Sequence, residues 1–170
     1  MPELTLSSYS DMTGLTSVRN PRTAFETVNV RPSRHPAEVT DVLIITPEPK
    51  LQAYIGNLFR RFGWSVSSLS SMAAAVDFVA HNRTAVVLSE ETLPDGSWRE
   101  VAEALELELC SPALIVLARD KSILSDVTAL GGFDVLATPL NESDVLWAVA
   151  SAWHAWMSHY ERVHSSLPGG

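Results

Sequence analysis

From residue 41 onward, short apolar runs alternate with longer amphipathic stretches. Val42 to Ile45 is a β-branched and leucine run, ended by Pro47 and Pro49. Leu51, Ile55, Leu58, Phe59 and Phe62 then recur at helical spacing, with Gly63 as the stop signal. Ser65 to Leu69 alternates and predicts a weaker, outer strand. Ser70 or Ser71 is placed to cap a helix carrying Met72, Ala75, Val76 and Val79, which ends near His81 and Asn82. Ala85 to Ser89 predicts a third strand, buried on both faces. The turn residues Pro94, Asp95 and Gly96 lead into a helix with Val101, Leu105 and Leu109 on one stripe. After Pro112, Ala113 to Leu117 is the fourth strand. A helix from about Ser122 to Leu130 stops at Gly131 and Gly132. Asp134 to Ala137 is the fifth strand, Thr138-Pro139 turns the chain, and Asn141 caps a long helix from about Glu142 to Tyr160.

Five strands alternating with five helices imply βαβ units, hence a parallel sheet with helices on both faces. The expected fold class is α/β: a flavodoxin-like, doubly wound, five-stranded sheet spanning residues 41–160. Residues 1–40 differ. They are rich in Ser, Thr, Pro and Arg and show no sustained periodicity. Such a stretch buries too little apolar surface to offset its ordering entropy, which predicts a disordered, flexible N-terminal arm. Residues 161–170 read as a C-terminal tail, frayed from Ser165.

Composition narrows the function classes. The 170 residues carry a net charge of −8, which opposes non-specific binding to nucleic acid or to anionic membrane surfaces. No apolar stretch is long enough to cross a bilayer, and the start lacks the pattern of a signal peptide. The single cysteine, Cys110, cannot form an internal disulfide and fits a cytoplasmic home. His154, His159 and His164 are spaced by five, which does not stack them on one helix face, so no metal site is expected there. No glycine-rich phosphate loop and no nucleophile signature is present.

Leu93-Pro94-Asp95-Gly96 after the third strand, Glu48-Pro49 after the first and Thr138-Pro139-Leu140 after the fifth accompany this regular repeat. In these residues and in its layout the chain resembles the receiver domain of two-component response regulators, over about residues 41–160. That resemblance implies phosphoryl transfer from a histidine kinase to an aspartate at the end of the third strand. Position by position, however, the implied parts are missing. The phosphoacceptor position falls on Glu90. The acidic pair that holds Mg²⁺ falls on Thr46 and Pro47, beside Glu48. The hydroxyl position of the fourth strand falls on Leu117, the aromatic switch on Val135, and the lysine after the fifth strand on Thr138.

Each departure has a chemical consequence. Mg²⁺ wants oxygen ligands that usually include one or two carboxylates; Pro47 offers no side-chain oxygen and Thr46 only a hydroxyl. Thr138 cannot neutralise charge developing on a phosphoryl group. Glu90 is one methylene longer than aspartate, in chemistry that depends on close placement. The expectation is a stand-alone pseudo-receiver: no enzyme, no Mg²⁺ or other cofactor, no metal, and no aspartyl phosphorylation. Glu90 has two readings, a fixed carboxylate that partly mimics a phosphorylated aspartate or a polar residue at a solvated strand end. As neighbours at a strand end, Glu90 and Glu91 should point to opposite sides and share no substrate.

The last helix carries Val145, Val149, Trp153, Trp156 and Tyr160 on one stripe, with Met157 beside it. Aromatic residues and Met are enriched in interface cores. Trp153, Trp156, Met157 and Tyr160 are therefore expected to run past the sheet edge as a partner surface. The partner is expected to be a protein, a histidine kinase or another regulator, or a second copy joined through this helix. Two alternatives stand beside this reading. One is an α/β ligand-binding or catalytic domain with Glu48, Glu90 and Thr138 lining a pocket. The other is a receiver that is still phosphorylated. Pro47 and Leu117 would argue against the pocket by filling that corner with apolar side chains.

Overall fold

The computed structural model describes residues 39–166. The arm read over residues 1–40 lies outside the described residues except for Val39 and Thr40, as do the last four residues of the tail. Val39 is buried, and Thr40 already opens the first strand, two residues ahead of the apolar run.

The elements follow in the order β1 (Thr40–Ile45), α1 (Pro49–Arg60), β2 (Val66–Leu69), α2 (Met72–His81), β3 (Thr84–Glu90), β4 (Thr92–Leu93), β5 (Gly96–Ser97), α3 (Trp98–Leu105), β6 (Ala113–Ala118), a 3₁₀ turn (Lys121–Ile123), α4 (Leu124–Ala129), β7 (Asp134–Ala137) and α5 (Glu142–Ser166). The main sheet has the order β2-β1-β3-β6-β7, all parallel. This is the expected doubly wound, flavodoxin-like arrangement.

Strand side chains alternate between faces, and both faces are covered. Leu43, Ile45, Val87, Leu114, Val116 and Val135 form one core with Ala75 and Val79 of α2, Trp98, Val101 and Leu105 of α3, and Val127 of α4. The alternate set, Val42, Ile44, Val86, Leu88, Ile115 and Leu117, is buried too. That second layer includes Ile55, Leu58 and Phe59 of α1 and Val145, Val149 and Trp153 of α5. Its rings connect: Phe59 lies 5.4 Å from Trp64, and Trp64 lies 5.7 Å from Trp153. α1 and α5 are further joined at the surface by an ion pair between Arg61 and Glu142.

The helix starts obey local chemistry. The Ser71 hydroxyl accepts from the Ala74 N–H, and the Asn141 side chain accepts from the Asp144 N–H. Ser97 and Glu100 form a reciprocal capping box at the start of α3. Gly63 and Gly131 hold positive φ where α1 and α4 end.

Four details differ from the pattern. The stretch after β3 is a small antiparallel hairpin, β4 with β5, around Pro94 and Asp95. α3 stops at Leu105, so Leu109 leaves the stripe and is 78% exposed. The helix expected from Ser122 begins as a 3₁₀ turn and is α-helical only over Leu124–Ala129, because the Asp120 side chain caps the tighter turn through the Ser122 N–H. α5 continues to Ser166, into the residues read as tail.

Candidate functional site

The carboxyl ends of the strands bring together most of the sequence-singled positions. Thr46 follows β1 and is fully buried. Its hydroxyl accepts the Glu48 N–H at 3.0 Å, and its carbonyl accepts the Gln52 side chain at 2.6 Å. The hydroxyl is therefore spent on turning the chain into α1. Pro47 and Glu48 are exposed, and Glu48 begins α1 without a side-chain cap.

Glu90 is the last residue of β3, half-buried and paired in register with Leu117. Leu117 is buried, Val135 lies fully inside the core, and Thr138 is exposed with its N–H donating to the Ala118 carbonyl. Thr138-Pro139 is a cis peptide.

Glu90, Glu91, Thr92, Leu117, Arg119, Asp120 and Thr138 border an open groove of about 570 Å³. Three expectations are corrected here. The corner is not filled by Pro47 and Leu117: Leu117 borders an open groove, and Pro47, exposed, is not among its bordering residues. Glu48 is not among the bordering residues, whereas Glu90 and Thr138 are. Glu90 and Glu91 share the groove, because strand alternation ends at Glu90; Glu91 is already in the bend, its N–H held by the Leu117 carbonyl.

The residues present do not fit a divalent cation in the receiver manner. Two of the corner positions carry no carboxylate. The nearby Asp120 is committed: its carboxylate accepts from the Ser122 hydroxyl and N–H, which hold its pKa below 3.8. Among the described residues no group of three or more His, Cys, Asp or Glu side chains is placed to hold a metal ion.

Asp95 does more than turn the chain. Its two carboxylate oxygens accept the Met72 and Ala73 N–H groups at 2.8 and 2.9 Å, docking the hairpin onto the start of α2. The Ala73 and then the Met72 N–H hold its pKa below 3.8. Sequence reading sees only the Asp-Gly turn; a contact reaching 23 residues back leaves no local signal.

The aromatic end of α5 is also corrected. Trp153, Trp156, Met157 and Tyr160 are all at least nine-tenths buried. They do not overhang the sheet; they close its amino-terminal edge. The Trp153 indole N–H donates to Asp41 at 3.0 Å, and the same carboxylate accepts the Ser65 N–H at 2.8 Å. Trp156 donates to the Cys110 carbonyl at 3.2 Å. The Tyr160 hydroxyl accepts from Arg83 at 2.9 Å, with its ring stacked on Trp156 and His164. An indole is buried only where its N–H finds an acceptor, and here the strand beginnings supply it. Asp41, an acid at the head of an apolar strand, is the one sequence signal that could have pointed to this.

No family model matches the chain. A curated protein of Mycobacterium tuberculosis, named "Probable transcriptional regulatory protein TcrX", is 28% identical over 108 residues, covering 62% of this chain and 46% of that protein. The chain thus spans about half the length of the curated relative it matches. Among solved structures, the signal receiver domain of an HD domain-containing protein from Pseudomonas fluorescens Pf-5 matches with a TM-score of 0.66 at 17% identity, covering 78% of this chain and 97% of that one. The response regulatory domain of MrkE from Klebsiella pneumoniae matches with a TM-score of 0.61 at 18% identity, covering 69% and 98%. The described domain has the fold of a response-regulator receiver domain.

Proposed function

We propose that this domain works in signal transduction by protein–protein contact, as a pseudo-receiver without an aspartyl phosphorylation cycle and without enzymatic activity. The observation that carries the reading is the carboxyl edge of the sheet. The receiver fold is complete there, while its charge-handling positions are occupied by Thr46, Pro47, Leu117 and Thr138. Phosphoryl transfer depends on positioned cationic charge around the phosphoryl oxygens, and this corner offers neither a cation cage nor a lysine. A partner such as a histidine kinase or another regulator would be held by shape and surface chemistry.

The test is a ¹H–¹⁵N titration of the full chain with Mg²⁺ and then beryllofluoride, a stand-in for the aspartyl phosphoryl group. No saturable shifts at Thr46, Glu90, Leu117 or Thr138 are expected. Saturable shifts at those positions would overturn the reading.

A second reading has one observation in its favour. The open groove places Glu90, Glu91, Arg119 and Thr138 around a space of about 570 Å³, within the size range of small-ligand sites. Its lining is mostly polar, with Leu117, Ala118 and Ile123 as the apolar part, whereas ligand sites are predominantly apolar, which leaves it second.

A further inference from the structure

The opposite edge of the sheet carries a second groove, of about 470 Å³, with Val79, Arg83, Glu108, Leu109, Pro112 and His164 among its borders. Three observations converge on it. First, Leu109, which borders the groove, is 78% exposed, and Leu107, which lies outside its border, is 85% exposed; they are the two most exposed large apolar side chains described. They stand two residues apart in the loop after α3, in a domain whose other leucines are mostly buried. Second, Arg83 is held in place, its guanidinium donating to Tyr160 and lying 5.3 Å from the centre of that ring. Third, Arg83 and Glu108 border one groove, yet among the described residues neither takes part in an ion pair.

We propose that this edge is a self-association surface, on which a second copy of the chain docks with Leu107 and Leu109 at the centre and Arg83 of each copy paired with Glu108 of the other. A two-fold contact requires a patch that complements itself, so that a residue on one copy meets its counterpart reciprocally. An apolar pair flanked by one fixed cation and one nearby anion has that property. Charge restricts the choice further. Two chains of net charge −8 repel over their general surface, so they meet best where both signs are present locally. A receptor of uniform charge would satisfy only one of the two groups.

The proposal refines the contact-based function above by naming one partner. It is tested by sedimentation equilibrium of the full chain from about 10 to about 500 µM, without Mg²⁺ or phosphodonor. A concentration-dependent dimer is expected. Leu107→Ser with Leu109→Ser, both at exposed positions, should leave monomer throughout. Glu108→Arg should weaken the dimer about tenfold, and Glu108→Arg combined with Arg83→Glu should restore it to within about threefold. Monomer at every concentration, a dimer indifferent to these variants, or a charge swap that fails to restore it would overturn the proposal. Monomer would leave the contact-based function standing with a different partner. Phosphorylation at Glu90 would overturn that function and leave the dimer measurement unaffected.

Discussion

The two edges of one sheet are finished in different ways. At the carboxyl edge, the chain keeps receiver-like punctuation: the Pro-Asp-Gly turn, the Glu-Pro start of α1 and the Thr-Pro turn after β7. At the positions that carry the family's chemistry the side chains are short, apolar or committed to local capping, as at Thr46, Pro47, Leu117 and Thr138, while Glu90, Glu91 and Arg119 border the open groove beside them. At the amino edge, Asp41, the Cys110 carbonyl and Arg83 supply the polar partners of Trp153, Trp156 and Tyr160 on α5, and Ser65 donates to Asp41 in turn. The difference separates what a fold needs from what its chemistry needs. Turns and apolar runs are required for the chain to close, so they persist. Charged groups at a reaction corner can be absent without cost to closure. A polar group beneath a buried indole cannot.

The comparison would be broken most decisively by Trp153→Ala. Removing a buried tryptophan that also packs on Trp64 should cost about 3–5 kcal/mol in urea unfolding. A cost below about 1 kcal/mol would mean that the amino edge is a loose surface after all. Asp41→Ala should follow, at about 3 kcal/mol, because the Trp153 and Ser65 N–H groups lose a shared buried acceptor. Equal stability of this variant and the wild type would contradict the node.

Asp95→Ala sharpens the picture with pH. The folded domain lowers the Asp95 pKa below 3.8, so the ionised carboxylate stabilises the fold. That contribution is present in full above about 3.8 and is lost as pH falls through the folded value. The variant should melt below the wild type at pH 7, and the gap should narrow as pH falls below about 3.8 and through the lowered folded-state value. A gap independent of pH would assign the effect to packing of the hairpin instead. The smallest change is expected from Thr138→Lys, an exposed position at the carboxyl edge, within about 0.5 kcal/mol of wild type.

Much of this was legible in the sequence because it is periodic. The strands of the sheet announce themselves as apolar runs, and Ser71, Asn141, Gly63 and Gly131 mark helix ends by local chemistry. What escaped is non-local or depends on length. The β4–β5 hairpin has strands of two residues, too short for alternation to show. Leu109 continues a helical spacing beyond the residue where the helix ends. The aromatic stripe of α5 is the most instructive case. Its spacing correctly places Trp153, Trp156 and Tyr160 on one face, but spacing cannot say whether that face meets solvent or the beginnings of β1 and β3. The corner around Glu90 was legible as a set of missing groups; the open groove beside it was not, because its shape follows from the bend after Glu90 and not from any residue type.

The most direct measurement is the intact mass of the full chain after incubation with Mg²⁺ and acetyl phosphate, beside a receiver domain that carries the aspartate. The control should gain one phosphoryl group and this chain should gain none. A matching gain, mapped to Glu90 or to a neighbouring acid, would contradict the central claim that the carboxyl edge has kept the receiver fold without its chemistry.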